Sequence, residues 1–136
     1  MPTYKIEGTV LAKRPFGESD AMLDVLTISR GLETFVAKGA FRSRRRLVGG
    51  LEPFTRCQFS VYRSRPGKLP VIQELKVLKS RFELYRDLDV FTSLTDVASF
   101  LAGSLPPSTP EYEVYDLLEA LLTAISSGGR MESLVL

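Results

Sequence analysis

Hydrophobic and polar positions change their period once along this chain, near residue 80. Before that point the period is two, the signature of strands. Tyr4, Ile6, Gly8, Val10 and Ala12 alternate with Lys5, Glu7, Thr9, Leu11 and Lys13, a strand with one largely polar face. Residues 14–20 read as a loop, punctuated by Pro15 and Gly17. Further strands are predicted over 21–28 (AMLDVLTI) and 32–38 (LETFVAK). Ser29-Arg30-Gly31 joins them as a hairpin, with Gly31 supplying a positive φ. A long connection, 39–54, contains Gly49-Gly50. Strands at 55–63 (TRCQFSVYR) and 70–78 (PVIQELKVL) then flank the turn Ser64-Arg65-Pro66-Gly67.

After residue 80 the apolar positions recur at three- and four-residue steps. Leu84, Leu88, Phe91, Leu94, Val97, Ala98 and Leu101 mark an amphipathic helix that ends at 103–107. Ser108-Thr109-Pro110-Glu111 predicts a second helix start. Ser108 is placed to cap it and Glu111 to close a capping box, with proline in the first turn. The stripe Tyr112, Tyr115, Leu118, Leu121, Leu122 and Ile125 runs on until Gly128-Gly129. Met131–Leu136 begins a third amphipathic segment too short to hold alone, so a truncated helical domain is expected. The predicted organisation is a five-stranded OB-type barrel over 1–80, followed by a partial α-helical domain over 81–136. An SH3-like barrel is the nearest competitor on strand count.

Composition adds mainly exclusions. The 136 residues are 44% hydrophobic and 25% charged, ordinary for a globular domain. No apolar stretch approaches a membrane span, and the N-terminus leads into the first strand without a signal-peptide core. With no histidine, the commonest general base and metal ligand is missing. Cys57 is the single cysteine, which rules out an internal disulfide or a cysteine zinc site and fits a reducing, cytoplasmic setting. Its place in an alternating strand reads as a buried, inert thiol. Glu18, Asp20 and Asp24 would suit a magnesium ion, but Ser19 or Asp20 ordering the loop through backbone amides is the favoured reading. Neither a P-loop nor a dinucleotide fingerprint is present. The expectation is therefore a protein that is not an enzyme, with no cofactor, no metal, no small-molecule substrate and no membrane association.

Charge is divided unevenly. Residues 1–80 carry 15 Lys/Arg against 7 Asp/Glu, a net of +8, while residues 81–136 carry 3 against 9, a net of −6. Five cations fall within nine residues at Lys38, Arg42, Arg44, Arg45 and Arg46. Such density demands solvent or a polyanion, and the dominance of arginine favours bidentate phosphate contact. Arg14 and Arg56 join the run as candidate nucleic-acid contacts, with Lys13, Arg63, Arg65 and Lys68 as further cations able to face phosphate. Phe41 and Phe16, in loops beside arginines, rank first as base-stacking platforms. The remaining aromatics read as core. A basic loop of this kind also suits a protein adapter that binds an acidic partner segment, and an RNA-binding OB protein is a third reading.

The residues also resemble a known family. Gly17-Glu18-Ser19-Asp20, Thr27, Gly31, Ala37-Lys38-Gly39 with arginines following, Leu51 and Pro53-Phe54 look like the N-terminal domain of the bacterial DNA repair and recombination protein RecO. Leu84-Tyr85-Arg86-Asp87-Leu88 and the paired helices are similar to its helical domain. The resemblance implies an OB-fold followed by helices. It implies a cytoplasmic, nucleoid-associated protein that binds single- and double-stranded DNA and anneals strands. It further implies a recombination mediator that works with RecR and single-stranded DNA-binding protein. The family's basic segment corresponds here to Lys38, Arg42, Arg44, Arg45 and Arg46. Many members carry a cysteine zinc motif in a C-terminal half; this chain has no residues that match it.

Overall fold

A computed structural model of the chain describes residues 3–40 and 51–127. Five strands come first: β1 (Thr3–Phe16), β2 (Asp20–Thr27), β3 (Gly31–Ala37), β4 (Arg56–Tyr62) and β5 (Val71–Lys79). Their spatial order is β1-β2-β3-β5-β4, with β4 returning to β1, so the sheet closes into a ring. Three long antiparallel ladders and the β4–β5 ladder carry the ring. The β3–β5 contact is parallel and rests on one pair, Val36 with Val71. The expected OB-type architecture, five strands followed by helices, is what the chain builds.

Alternation sorts the strands as the sequence requires. Ala21, Leu23 and Val25 of β2 and Cys57, Phe59 and Val61 of β4 all enter the barrel interior with Ile6, Val10, Phe35 and Ile72. The Phe35 and Phe59 rings meet there at 5.6 Å. Burial pushes the Cys57 thiol up to about 12, which keeps it protonated and inert.

One irregularity has large consequences. β1 pairs Val10 with Val25 but Ala12 with Asp24, so Leu11 is an extra residue, a β-bulge. A one-residue slip exchanges the two faces of a strand. Before the bulge, even-numbered residues point into the barrel. After it, Ala12, Arg14 and Phe16 share the outer face with Asp24, Met22 and Asp20. The predicted loop over 14–20 is corrected accordingly: the strand continues to Phe16, and only Gly17, Glu18 and Ser19 form the turn.

Phe82–Tyr85 forms one 3-10 turn, followed by α1 (Leu88–Ser104) and α2 (Tyr112–Ser126). Asp87 caps α1, its carboxylate accepting from the Val90 amide at 3.2 Å. The capping box predicted at Ser108 does not form. Glu111 occupies the cap position of α2 without a side-chain bond. Ser108 instead donates its hydroxyl to Glu33 Oε2 at 3.0 Å and its amide to the Leu32 carbonyl at 2.9 Å. Tertiary partners thus took the groups that a local cap would have used. Gly31 makes this docking possible: its φ is +69°, and a Cβ there would lie 1.8 Å from the Thr109 carbonyl oxygen.

The helices lie against the outside of the barrel. Leu11, Leu26 and Leu32 of the strands pack with Phe54, Leu84, Leu94, Ala98, Tyr115, Leu118 and Leu122 in a second buried cluster. The stop predicted at Gly128-Gly129 and the third segment, Met131–Leu136, lie outside the described residues.

Candidate nucleic-acid interface

Among the described residues, α1 and α2 pack on the end of the outer face near the β2–β3 turn, over Leu26 and Leu32. At the other end the bulge has turned Arg14 and Phe16 outward. Arg14 Nη2 meets Asp24 Oδ1 at 2.8 Å, and the Thr34 hydroxyl donates to the same oxygen at 3.1 Å. Arg14 is half exposed. Asp20 Oδ1 accepts from the Gly39 amide at 2.8 Å and fixes the start of β2 to the chain just past β3. This is the loop-ordering role favoured for the acids of this region.

Beyond that tie, the outer face opens into a cleft of about 420 Å³. Phe16 stands on one side, Val36 and Val71 form the floor, and Lys38, Ser64, Gly67, Lys68 and Leu69 complete the lining. The floor exists because the single β3–β5 pair brings Val36 and Val71 together, sealed by a Val36 amide to Pro70 carbonyl bond of 2.9 Å. Phe16 keeps 46% of its surface exposed and Leu69 40%. Arg63 and Arg65 lie in or beside the same β4–β5 connection. Of the site residues read from sequence, Arg14 and Lys38 are thus brought to one end of the barrel. Phe16 is brought there too, and Lys68 with it.

Arg56 has a different setting. Its Nε donates to Glu7 Oε2 at 2.5 Å, its Nη1 lies 3.4 Å from Glu119 Oε1, and its guanidinium stands over the Tyr115 ring at 5.7 Å. It belongs to a polar knot between barrel and helices that charge density alone did not reveal. The centre of that knot is Arg81, 1% exposed. Arg81 reaches Glu119 Oε1 at 2.6 Å and Oε2 at 3.2 Å, and donates to the Phe54 carbonyl at 2.7 Å. The Thr9 hydroxyl donates to Glu119 Oε2 at 2.6 Å. Burial alone would raise the Glu119 carboxyl. The hydrogen bonds from Arg81 and Thr9 and the charges of Arg81 and Arg56 outweigh it and hold the group below its ordinary value. One sequence signal was available for this knot: Glu119 sits on the apolar stripe beside Leu118, between Tyr115 and Leu122. Arg81 had none, because its partner is set by where α2 lands.

Phe41, Arg42, Arg44, Arg45 and Arg46 lie outside the described residues. In sequence they follow directly on Lys38-Gly39-Ala40, at the cleft end of β3. Among the described residues, no group of three or more His, Cys, Asp or Glu side chains is placed to hold a metal ion. Among them, too, no helix is long and apolar enough to cross a membrane.

Fold and site together define an OB-type barrel with packed helices and a cationic, partly apolar cleft on its outer face. Sequence comparison narrows that class. Residues 1–81 match the family model described as recombination protein O N terminal. The chain is 34% identical over 128 residues to a DNA repair protein RecO of Rubrobacter xylanophilus, covering 94% of this chain and 50% of that protein. It is 30% identical over 128 residues to the RecO of Desulforamulus reducens, with 94% and 49% covered. It is 32% identical over 128 residues to that of Anaeromyxobacter sp. strain K, with 94% and 50% covered. The chain belongs to the RecO family, and it spans about half the length of the curated relatives it matches.

Proposed function

We propose that this chain is the DNA-gripping portion of a non-catalytic protein of recombinational repair. It binds single and double strands through their phosphates, anneals complementary strands, and acts as a recombination mediator with RecR and single-stranded DNA-binding protein. The observation that carries the reading is the end of the barrel where, among the described residues, α1 and α2 do not reach and Arg14, Lys38 and Lys68 are brought together. The arginine run 42–46 follows in sequence from that end. The RecO name of the relatives supplies the repair context.

The chemistry follows from charge. Each neutralised phosphate releases counterions, so binding is steep in salt and tolerant of sequence. Two strands held against one cationic surface lose part of their mutual repulsion, which is what annealing needs. The acidic residues 81–136 repel phosphate and leave the helical side for protein partners.

A titration of oligonucleotide against salt tests this. With about 4–6 phosphates engaged on a single strand, log affinity should fall against log salt with a slope of about −3 to −4. Replacing Arg44, Arg45 and Arg46 together by Ala should weaken binding and flatten the slope. Affinity that ignores both salt and the triple replacement would overturn the proposal. An acidic peptide that binds where oligonucleotides do not would turn the reading toward a protein adapter.

A further inference from the structure

We infer that the cleft beside Phe16 is a base-stacking subsite, and that it makes the barrel prefer single-stranded over duplex nucleic acid. This rests on the DNA-binding reading above and adds to it which strand form the outer face selects, and which residue decides.

Phe16 is the first ground. Phe82, Phe100 and Tyr112 are more exposed, but Phe16, with 46% of its surface exposed, is the aromatic that lines a cleft together with lysines. The bulge at Leu11 turned it there, since unbroken alternation would have sent it into the barrel with Ile6 and Val10. Its flanking turn is open: a Cβ on Gly17 would meet nothing within 4 Å.

The cleft supplies the second ground. Its volume of about 420 Å³ falls in the range of small-ligand sites, roughly 300–1,000 Å³. An apolar floor of Val36 and Val71, an aromatic side and two lysines together offer a ring-sized apolar surface beside positive charge. That is the chemistry of one nucleotide, base against Phe16 and phosphate against ammonium. A duplex keeps its base faces stacked on one another and presents only phosphates here. An unpaired base has a free face. Among the described lining residues Ser64 brings the one side-chain hydroxyl, and none brings a side-chain amide or carboxylate. Stacking on Phe16 is open to any base, because every base has a π-face. Lysines suit this role, because an ammonium meets phosphate as a point charge without demanding one orientation.

The chain has no tryptophan, so Phe16→Trp places a single indole reporter in the cleft. A short oligothymidylate should quench its fluorescence saturably, and a duplex of the same length should not. Phe16→Ala should lower affinity for the single strand about tenfold, leave duplex affinity within about twofold, and leave the salt slope unchanged because no charge is removed. An unchanged far-UV circular dichroism spectrum should accompany both variants. Equal losses for both strand forms, or no loss for either, would overturn the subsite while leaving DNA binding standing. An acidic aromatic peptide that quenches the indole where oligothymidylate does not would overturn it in favour of a protein occupant. Failure of the unsubstituted chain to bind either strand form would remove the DNA-binding reading itself, and the subsite with it.

Discussion

The two ends of one barrel face put the same residue types to opposite uses. Near the β2–β3 turn, Leu26 and Leu32 are buried under α1 and α2, and the cations Arg81 and Arg56 are matched by Glu119 and Glu7. Near the β1–β2 turn, Phe16 and Leu69 stay exposed, and Lys38 and Lys68 line an open cleft. The difference, among the described residues, is whether a helix packs on the face. Under α2, Glu119 meets Arg81 and that arginine becomes part of the core. At the other end Arg14 pairs with Asp24 of its own sheet and stays half exposed, and Phe16 keeps much of its surface in solvent. Charge density along the sequence does not separate these fates; the landing of a neighbouring element does.

The sharpest way to break the comparison is at its buried end. Arg81→Met leaves Glu119 with most of its charge uncompensated, a situation that typically costs about 3–5 kcal/mol. Urea unfolding should show a loss of that order, and adding Glu119→Gln should restore part of it. DNA affinity of the folded fraction should hold.

Gly31→Ala should be next in size. The added Cβ would lie 1.8 Å from the Thr109 carbonyl at a backbone φ of +69°, a strain worth about 1–3 kcal/mol. The same urea experiment reads it, with hydrogen exchange of the Ser108 amide, now bonded to Leu32, rising as the connection between helices lifts.

Acid titration isolates the Glu119 contribution. Its folded-state pKa lies below the ordinary carboxylate value of 4.5, so the stability it contributes is present above about pH 4.5 and is lost as pH falls through the folded value. Unfolding midpoints measured from pH 6 downward should therefore drop less steeply below pH 4.5 in Glu119→Gln than in the parent chain.

The smallest effect belongs to the open end. Arg14→Ala removes an exposed pair with Asp24, and its stability change should stay within about 0.5 kcal/mol. A clear loss in unfolding free energy would place Arg14 with the structural cations instead.

Much of this was legible in the sequence, for identifiable reasons. The β2, β3, β4 and β5 boundaries fall within about a residue of expectation because turn residues punctuate them, Ser29-Arg30-Gly31 between β2 and β3 and Ser64-Arg65-Pro66-Gly67 between β4 and β5. The β1 boundary was misplaced because a bulge leaves no mark in a hydrophobic pattern; Pro15 and Gly17 looked like a loop, while the ladder in fact runs to Phe16. The Ser108 cap failed because its hydroxyl found Glu33, seventy-five positions away in sequence. Arg56 could not be told from a surface arginine until α2 brought Glu119 to it. The cleft was half visible: Phe16, Lys38 and Lys68 stood out as an aromatic and two cations, but Val36, Leu69 and Val71 read as ordinary strand and turn positions. Only ring closure makes them a floor and a wall.

One titration tests the division between the two ends most directly. Single-strand affinity is measured against salt for Lys38→Ala/Lys68→Ala and, in parallel, for Lys79→Ala/Arg86→Ala near the helical end. Both variants lose two charges, so net charge is controlled. The account predicts that the first pair weakens binding and flattens the log–log slope by about 1.4, the share of two phosphates on a single strand, while the second leaves the slope unchanged. Equal flattening in both, or a larger effect from Lys79 and Arg86, would contradict it.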